Sequence, residues 1–102
     1  MITMVKYILE GKNHKTLIVN GTLAYARKRA ISWGRKNANK WSYIAISKVI
    51  GTRRERVGLM NLLYDVDVYK WEIDSPDGTA FKAYFVNPVS GQTEGLDDIY
   101  MK

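Results

Sequence analysis

The sequence predicts an α+β fold, a mainly antiparallel sheet with one amphipathic helix packed on one face. Three observations favour this class: apolar residues alternate along several segments, one segment has helical periodicity, and two turn-forming segments can close hairpins. The expected order is ββαβ, a segment of undecided structure, then ββ. At 102 residues the chain is expected to form a single domain over 1–102, with 88–102 as a tail, docked or free.

The first hairpin is predicted from alternation over Met4–Glu10 and the β-rich run Thr16–Val19, joined by the turn-like segment 11–15. Pairing Leu9 with Leu17 and Tyr7 with Val19 puts the apolar side chains on one face. A register shifted by one residue would scatter them, which indicates a hairpin that closes near Gly11 and Lys15.

A helix is predicted from Leu23 to about Asn37, with Thr22 as its N-cap. One half of the helical wheel is apolar or small and the other half is basic. Arg27 lies near the apolar half and is expected to extend its charged end to solvent. The apolar half comprises Leu23, Ala26, Ala30, Ile31, Trp33 and Gly34, and the basic half comprises Lys28, Arg29, Arg35 and Lys36.

The segment after the helix is predicted only in part. Trp41–Ile50 is rich in β-branched and aromatic residues and predicts a strand. Gly51–Asn61 has two interpretations: Thr52-Arg53-Arg54-Glu55 has the form of a capping box that would start a short helix, and the same residues suit the basic tip of a hairpin. The sequence does not decide between them.

The last hairpin is predicted from the turn Ser75-Pro76-Asp77-Gly78 and from alternation on both sides of it. With Ser75 opposite Thr79, the outward face is expected to carry Val68, Lys70, Lys82, Tyr84 and Val86. Beyond residue 88, a helical turn or a short docking strand is expected. The pairs expected on the apolar face are Ile73–Phe81, Trp71–Ala83 and Tyr69–Phe85, and those on the other face are Glu72–Lys82 and Lys70–Tyr84.

Composition indicates the cellular compartment in which the protein is expected. There is no cysteine, which fits a reducing compartment. No run approaches the ~18 apolar residues of a membrane span, and the N-terminal residues lack the pattern of a signal peptide. A cytoplasmic protein with no membrane partner is therefore expected.

Charge is distributed unevenly along the chain, although the net charge is +6. Residues 1–56 hold 13 Lys and Arg against two Glu, a net of +11, and residues 57–102 hold three Lys against eight acidic residues, a net of −5. Such asymmetry indicates a polyanionic partner or charge-guided docking. The alternative is that the two halves neutralise each other in the fold.

The sequence argues against catalysis, and no enzyme activity, metal or cofactor is expected. The absence of cysteine and the single histidine leave only weak carboxylate pairs, such as Asp65 with Asp67, as metal ligands. His14 lies in a predicted turn between lysines, where a histidine is usually a solvated residue and not a catalytic base. The glycine spacing of a phosphate-binding loop is missing.

Basic side chains interleaved with an aromatic residue are the strongest candidate site, because cations neutralise phosphates and an aromatic ring stacks on an unpaired base. The alternative is an ordinary solvated helix face. The candidate residues on the helix are Tyr25, Lys28, Arg29, Arg35 and Lys36, and those outside it are Lys40, Arg53, Arg54 and Arg56.

These residues predict a non-enzymatic binding protein directed at nucleic acid or an acidic nucleoprotein surface. No helix-turn-helix, ribonucleoprotein strand or glycine-clamp motif accompanies them. The compact one-helix layout, with Asn20-Gly21-Thr22-Leu23-Ala24-Tyr25-Ala26-Arg27 leading into a basic helix, resembles small accessory proteins of bacteriophages, a class that includes anti-CRISPR proteins. The resemblance covers size and layout and carries no site residues. It implies the alternative function, a protein-binding inhibitor of a host nucleic-acid-handling enzyme. A homodimer is compatible with either function.

Overall fold

A computed structural model describes residues 5–37, 41–75 and 77–101, with side chains up to residue 95. Seven strands form one antiparallel sheet in the order β2-β1-β3-β4-β5-β6-β7, with one helix, so the predicted α+β class is confirmed. The expected element order is not confirmed, because the tail adds a further strand. The elements are β1 (Val5–Glu10), β2 (Thr16–Gly21), α1 (Leu23–Lys36), β3 (Tyr43–Ile50), β4 (Arg53–Leu63), β5 (Val68–Asp74), β6 (Ala80–Val86) and β7 (Thr93–Met101), with 3-10 turns at Lys12–His14 and Tyr64–Val66.

The first hairpin has the predicted register, with Tyr7 opposite Val19 and Leu9 opposite Leu17. The helix cap is also confirmed, because the hydroxyl oxygen of Thr22 accepts a hydrogen bond from the backbone N–H of Tyr25 at 3.1 Å. This bond satisfies one of the amides that a helix leaves unpaired at its first turn. Local sequence therefore fixes how the chain enters α1.

The core lies between α1 and one face of the sheet. Ala26, Ala30 and Ile31 of the helix are buried against strand residues that include Ile46 and Met60. Small helix residues allow the helix axis to approach the sheet closely. We call this face of the sheet the helix face.

Gly34 shows how close the helix comes. A Cβ atom added there would lie 1.8 Å from the hydroxyl oxygen of Tyr64 and 3.0 Å from a methyl carbon of Leu62. A side chain at position 34 would force the Tyr64 side chain to move, so the glycine lets the C-terminal end of α1 pack closely against Leu62 and Tyr64.

Arg27 differs from the expectation that its charged end reaches solvent. Its side chain is buried, and only 7% of the residue is exposed. Its guanidinium carbon lies 5.3 Å from the ring centre of Trp71, and its Nε donates to the carbonyl oxygen of Gly91 at 2.7 Å. A partner 64 residues away supplies the acceptor, so helical periodicity alone could not show it.

Both undecided segments are strands. Arg53 follows a tight connection at Gly51 and Thr52 and begins β4, so the hairpin interpretation of Gly51–Asn61 is confirmed. The tail beyond residue 88 forms β7, which pairs antiparallel with β6. The capping-box pattern at Thr52 fails because Arg53–Arg56 pair with β3 instead of starting a helix.

The predicted register of the last hairpin is wrong by one residue. Its consequence is an exchange of faces on β6: Tyr84 and Val86, expected to point outward, pack with the core, while Phe81 and Phe85 move to the opposite face. Glu72, expected opposite Lys82, lies opposite Ala83. The observed pairs include Ile73–Lys82, Trp71–Tyr84 and Lys70–Phe85.

The cause is a connection that is one residue longer than the turn chemistry suggests. Ser75 donates its backbone N–H to the carbonyl of Ala80, not to Thr79, at 2.8 Å. The carboxylate of Asp77 accepts hydrogen bonds from the Ser75 hydroxyl and from the Thr79 amide and hydroxyl. These bonds lower the pKa of Asp77 and stabilise the longer loop. Pro76 lies outside the described residues.

Candidate polyanion-binding surface

A groove runs along the exposed side of α1, and we call it the α1 groove. It is a depression of about 410 Å³ lined by Lys28, Ile31, Ser32, Arg35, Lys36 and Pro88. Residues at i, i+4, i+7 and i+8 lie on one side of a helix, and the four polar helix residues of the groove have this spacing. None of the described lining residues carries a carboxylate.

The far wall of the groove is the segment between β6 and β7. The side-chain oxygen of Asn87 accepts hydrogen bonds from the amides of Val89 and Ser90, and its backbone carbonyl accepts one from Gly91. The Gly91 carbonyl in turn accepts from Arg27. This chain of hydrogen bonds holds the wall against the helix.

Gly91 is required at this contact. Its φ of +77° lies in the left-handed region, and an added Cβ would lie 1.8 Å from the carbonyl oxygen of Ala24. The β6–β7 segment therefore meets α1 backbone to backbone, which fixes the width of the groove.

Arg35 is held in place by two partners from the β4–β5 connection and the start of β5. Its Nη2 donates to the hydroxyl of Tyr69 at 2.5 Å and to the carboxylate of Asp67 at 3.1 Å, and its guanidinium carbon lies 5.2 Å from the Tyr69 ring centre. The hydrogen bond to Tyr69 is the main reason that the pKa of Arg35 is raised. Because the Arg35 side chain is about half exposed, it still presents part of its guanidinium to solvent.

Lys28 and Lys36 are the other two exposed cations of the groove. No carboxylate within ion-pair distance of either is found among the side chains that the structure describes. Tyr25 lies one turn before Lys28, is 40% exposed and packs its ring against Gly21. Arg29 is half-buried on the next side of the helix.

The second predicted cluster lies elsewhere. Arg53, Arg54 and Arg56 are exposed at the β3–β4 hairpin tip, whereas Arg35 contacts Tyr69, whose strand partner Leu62 lies at the other end of β4. Leu62 comes eight residues after Arg54 along the strand, a distance of about 27 Å. The structure does not bring the two basic clusters together.

The two clusters also differ in the face they use. Strand alternation, with a bulge between Arg56 and Gly58, places Arg54 and Arg56 on the sheet face opposite α1, and Arg53 on the helix face. Lys40, the remaining predicted residue, lies outside the described residues. Of the predicted residues, only Lys28, Arg35 and Lys36 line the same groove; Tyr25 lies one turn away, and Arg29 lies on the next side of the helix.

Sequence reasoning misses two groups that shape the site. Ser32 and Pro88 line the groove, although neither is among the predicted site residues. Asp67 and Tyr69 fix Arg35, although the sequence suggests Asp67 only as a weak metal ligand. The spacing of Ser32, four residues after Lys28 and four before Lys36, is a signal that could have found it.

Other kinds of site are not seen in the described ranges. No three His, Asp or Glu side chains in them gather closely enough to hold a metal ion. None of the helices there has the length and apolar character of a bilayer span. No family model, curated protein or solved structure matches this chain. A function for it therefore has to be inferred from its own residues.

Proposed function

We propose that this protein is a non-enzymatic binding protein whose α1 groove takes up the phosphate backbone of a nucleic acid, alone or within a nucleoprotein. The observation that carries the proposal is the lining of the groove: three cations, one hydroxyl and no carboxylate among its described residues. A phosphate group needs positive charge and hydrogen-bond donors, and Lys28, Arg35, Lys36 and Ser32 supply both.

The fixed Arg35 supports this use of the groove. A guanidinium already held by Tyr69 and Asp67 loses little side-chain freedom when it binds an anion. Asp67 neutralises part of its charge, so Lys28 and Lys36 supply most of the net attraction. Tyr25, exposed one turn away, is suited to stack on an unpaired base.

Cations near the end of a helix also have a simpler explanation, since Arg35 and Lys36 lie in the last turn of α1, where the helix dipole favours positive charge. The dipole accounts for cations at the end of the helix but not for Lys28, which lies two turns earlier. The dipole also does not account for the segment between β6 and β7, which lies beside the exposed side of α1 and so forms the groove.

The test is a titration of fluorescent single-stranded DNA, single-stranded RNA and duplex DNA at several salt concentrations. We expect affinity that falls as salt rises, and a weaker dependence in the double variant Lys28→Gln/Lys36→Gln. Loss of two phosphate contacts lowers the slope of log K against log salt by about 1.4 on a single strand. The matched control is Lys12→Gln/Lys15→Gln, which removes the same charge at an exposed turn outside the groove.

Two results would contradict the proposal: no binding to any of the three nucleic acids at low salt, or equal losses in the groove variant and the control. The first result favours the alternative, a phage-encoded protein-binding inhibitor of the anti-CRISPR type that grips an acidic protein surface. Capture from a host lysate with and without nuclease then separates an acidic protein from a nucleoprotein, because only a nucleoprotein is lost on nuclease treatment.

A further inference from the structure

The end of the β3–β4 hairpin, which we call the basic ribbon, comprises Ser47–Arg56, with the strand pairs Ser47–Arg56 to Ile50–Arg53. Among the described strands, β5 pairs with β4 only from Leu59 onward, and β1 pairs with β3 no further than Lys48. Seven consecutive residues, Ile50–Arg56, are exposed. The outer part of the ribbon is therefore a two-stranded element that is open to a partner on both faces.

The ribbon carries cations on both of its faces. Strand alternation places Lys48 and Arg53 on the helix face, and Arg54 and Arg56 on the opposite face. Among the described side chains, no carboxylate lies within ion-pair distance of these four. The anion of the ribbon, Glu55, lies opposite Lys48. Four cations and one anion give the ribbon a net charge of +3.

Arg56, at the base of the ribbon, has mixed surroundings. It lines a depression of about 430 Å³ together with Glu72 and Asp74, so carboxylates offset part of its charge. Arg53 and Arg54 do not line this depression. The attraction for an anion is therefore strongest toward the tip of the ribbon.

Charge on an exposed strand has a simpler use, because it discourages edge-to-edge pairing with other chains. Charge of either sign serves that purpose, and lysine is the residue most used for it. The ribbon has three arginines among its four cations. A guanidinium binds phosphate through two parallel N–H donors, which a lysine cannot do. The composition of the ribbon therefore favours phosphate recognition over protection of the edge alone.

The dimensions of the ribbon match one groove of duplex DNA. A sheet layer with its side chains is about 10 Å thick, as the spacing of stacked sheets shows. The major groove of B-form DNA is about 12 Å wide and about 8.5 Å deep, whereas the minor groove is about 6 Å wide. The four residues Ser47–Ile50 extend about 13 Å, which is enough to reach the floor of the major groove. The major groove of A-form RNA is too narrow to admit such an element.

We propose that the basic ribbon is a second nucleic-acid site, which enters the major groove of duplex DNA. Its two faces then meet the two phosphate rows that border the groove, with Lys48 and Arg53 on one side and Arg54 on the other. The inference rests on the proposed function, nucleic-acid binding, and names duplex DNA as the partner. The site itself is separate from the α1 groove, which contacts the other end of β4.

The test compares a fluorescent DNA duplex, its single strand and the RNA duplex of the same sequence, each titrated at several salt concentrations. Arg53→Gln/Arg54→Gln removes two phosphate contacts, so the slope of log K against log salt should fall by about 1.8 on the DNA duplex. On the single strand and the RNA duplex the slope should stay unchanged. The matched control is Lys12→Gln/Lys15→Gln, which removes the same charge from another exposed hairpin connection and should leave all three slopes nearly unchanged.

Competition identifies the groove of the duplex. Methyl green, a major-groove ligand, should displace the protein from the DNA duplex, and netropsin, a minor-groove ligand, should not. Displacement by netropsin alone would overturn the proposal. Equal falls in slope on the single strand and the DNA duplex, or a ribbon variant that behaves like the control, would also overturn it.

Failure of the ribbon and failure of the α1 groove give different results. A wild-type protein that binds the single strand but not the DNA duplex overturns the ribbon proposal and leaves the groove proposal standing. If Lys28→Gln/Lys36→Gln binds every nucleic acid as the wild type does while the ribbon variant loses duplex affinity, the groove proposal fails and the ribbon proposal stands. A wild-type protein that binds none of the three overturns both.

Discussion

Replacing the buried guanidinium of Arg27 tests whether the link between α1 and the β6–β7 segment stabilises the fold. In Arg27→Met the apolar stem remains, but the Gly91 carbonyl loses its donor and Trp71 loses the cation above its ring. A hydrogen bond from a charged donor contributes about 1.5–3 kcal/mol. The cation–π contact contributes about 1 kcal/mol.

An opposing effect is the release of a charge from a buried position. Burial lowers the pKa of Arg27, which shows that the charged form is disfavoured there. Removal of the buried charge therefore stabilises the folded state by about 1–2 kcal/mol. The gain is no larger because the charge already has a hydrogen-bond acceptor and an aromatic ring beside it. We therefore expect a net loss of about 2 kcal/mol in the free energy of unfolding, and a melting temperature lower by about 10 °C.

The assay is urea and thermal unfolding followed by tryptophan fluorescence, with Arg29→Met as the control. Arg29 is only half-buried on the same helix, so its replacement should change stability by less than about 0.5 kcal/mol. If Arg27→Met proves as stable as the wild type, the cost of burying the charge equals or exceeds the energy of its interactions, and the expected loss is refuted.

Three further predictions concern backbone contact and buried hydroxyls. Gly91→Ala should unfold at clearly lower urea concentration than Gly78→Ala. Both glycines have φ above +70°, but only a Cβ at Gly91 would meet another backbone segment, that of α1. Equal losses of stability would refute the close approach of the β6–β7 segment to α1. Tyr64→Phe should raise the free energy of unfolding by about 1 kcal/mol, since the Tyr64 hydroxyl is buried without a partner among the described residues. Tyr69→Phe should lower it, because this change breaks the hydrogen bond with Arg35. The reverse order of the two variants in urea titrations would contradict this prediction. Burial raises the pKa of Tyr64 to about 12, whereas in the unfolded chain this hydroxyl ionises near its ordinary pKa of ~10. The free energy of unfolding should therefore be independent of this group below pH ~10 and fall as pH rises toward 12, a decline in alkaline unfolding curves that Tyr64→Phe should reduce.

Local patterns predicted the parts of the fold in which neighbouring residues decide the outcome. Thr22 caps the helix, and the pairing of Tyr7 with Val19 follows from alternation alone, because a shift of one residue would expose the apolar side chains. The last hairpin shows the limit of this reasoning. Both its faces carry aromatic residues, so alternation tolerates either register, and the hydrogen bonds of Asp77 select the longer loop.

The candidate site was predictable only on the side that the helix supplies. Helical spacing placed Lys28, Arg35 and Lys36 on one side, and the structure shows them lining one groove. The wall of the groove depends on the contact between Arg27 and Gly91, which periodicity cannot reveal. The separation of Arg54 from the helix cations depends on which end of β4 meets α1, and that is set by packing.

The 64-residue separation between Arg27 and Gly91 has a consequence for the order of events during synthesis. Ribosomes deliver the chain from its N-terminus, so the basic helix emerges well before the segment that forms the opposite wall. A nascent chain carries the cations of α1 without their enclosure until translation has passed residue 91. Phosphate recognition by the groove is therefore acquired late, as a property of the finished tertiary structure and not of the helix alone.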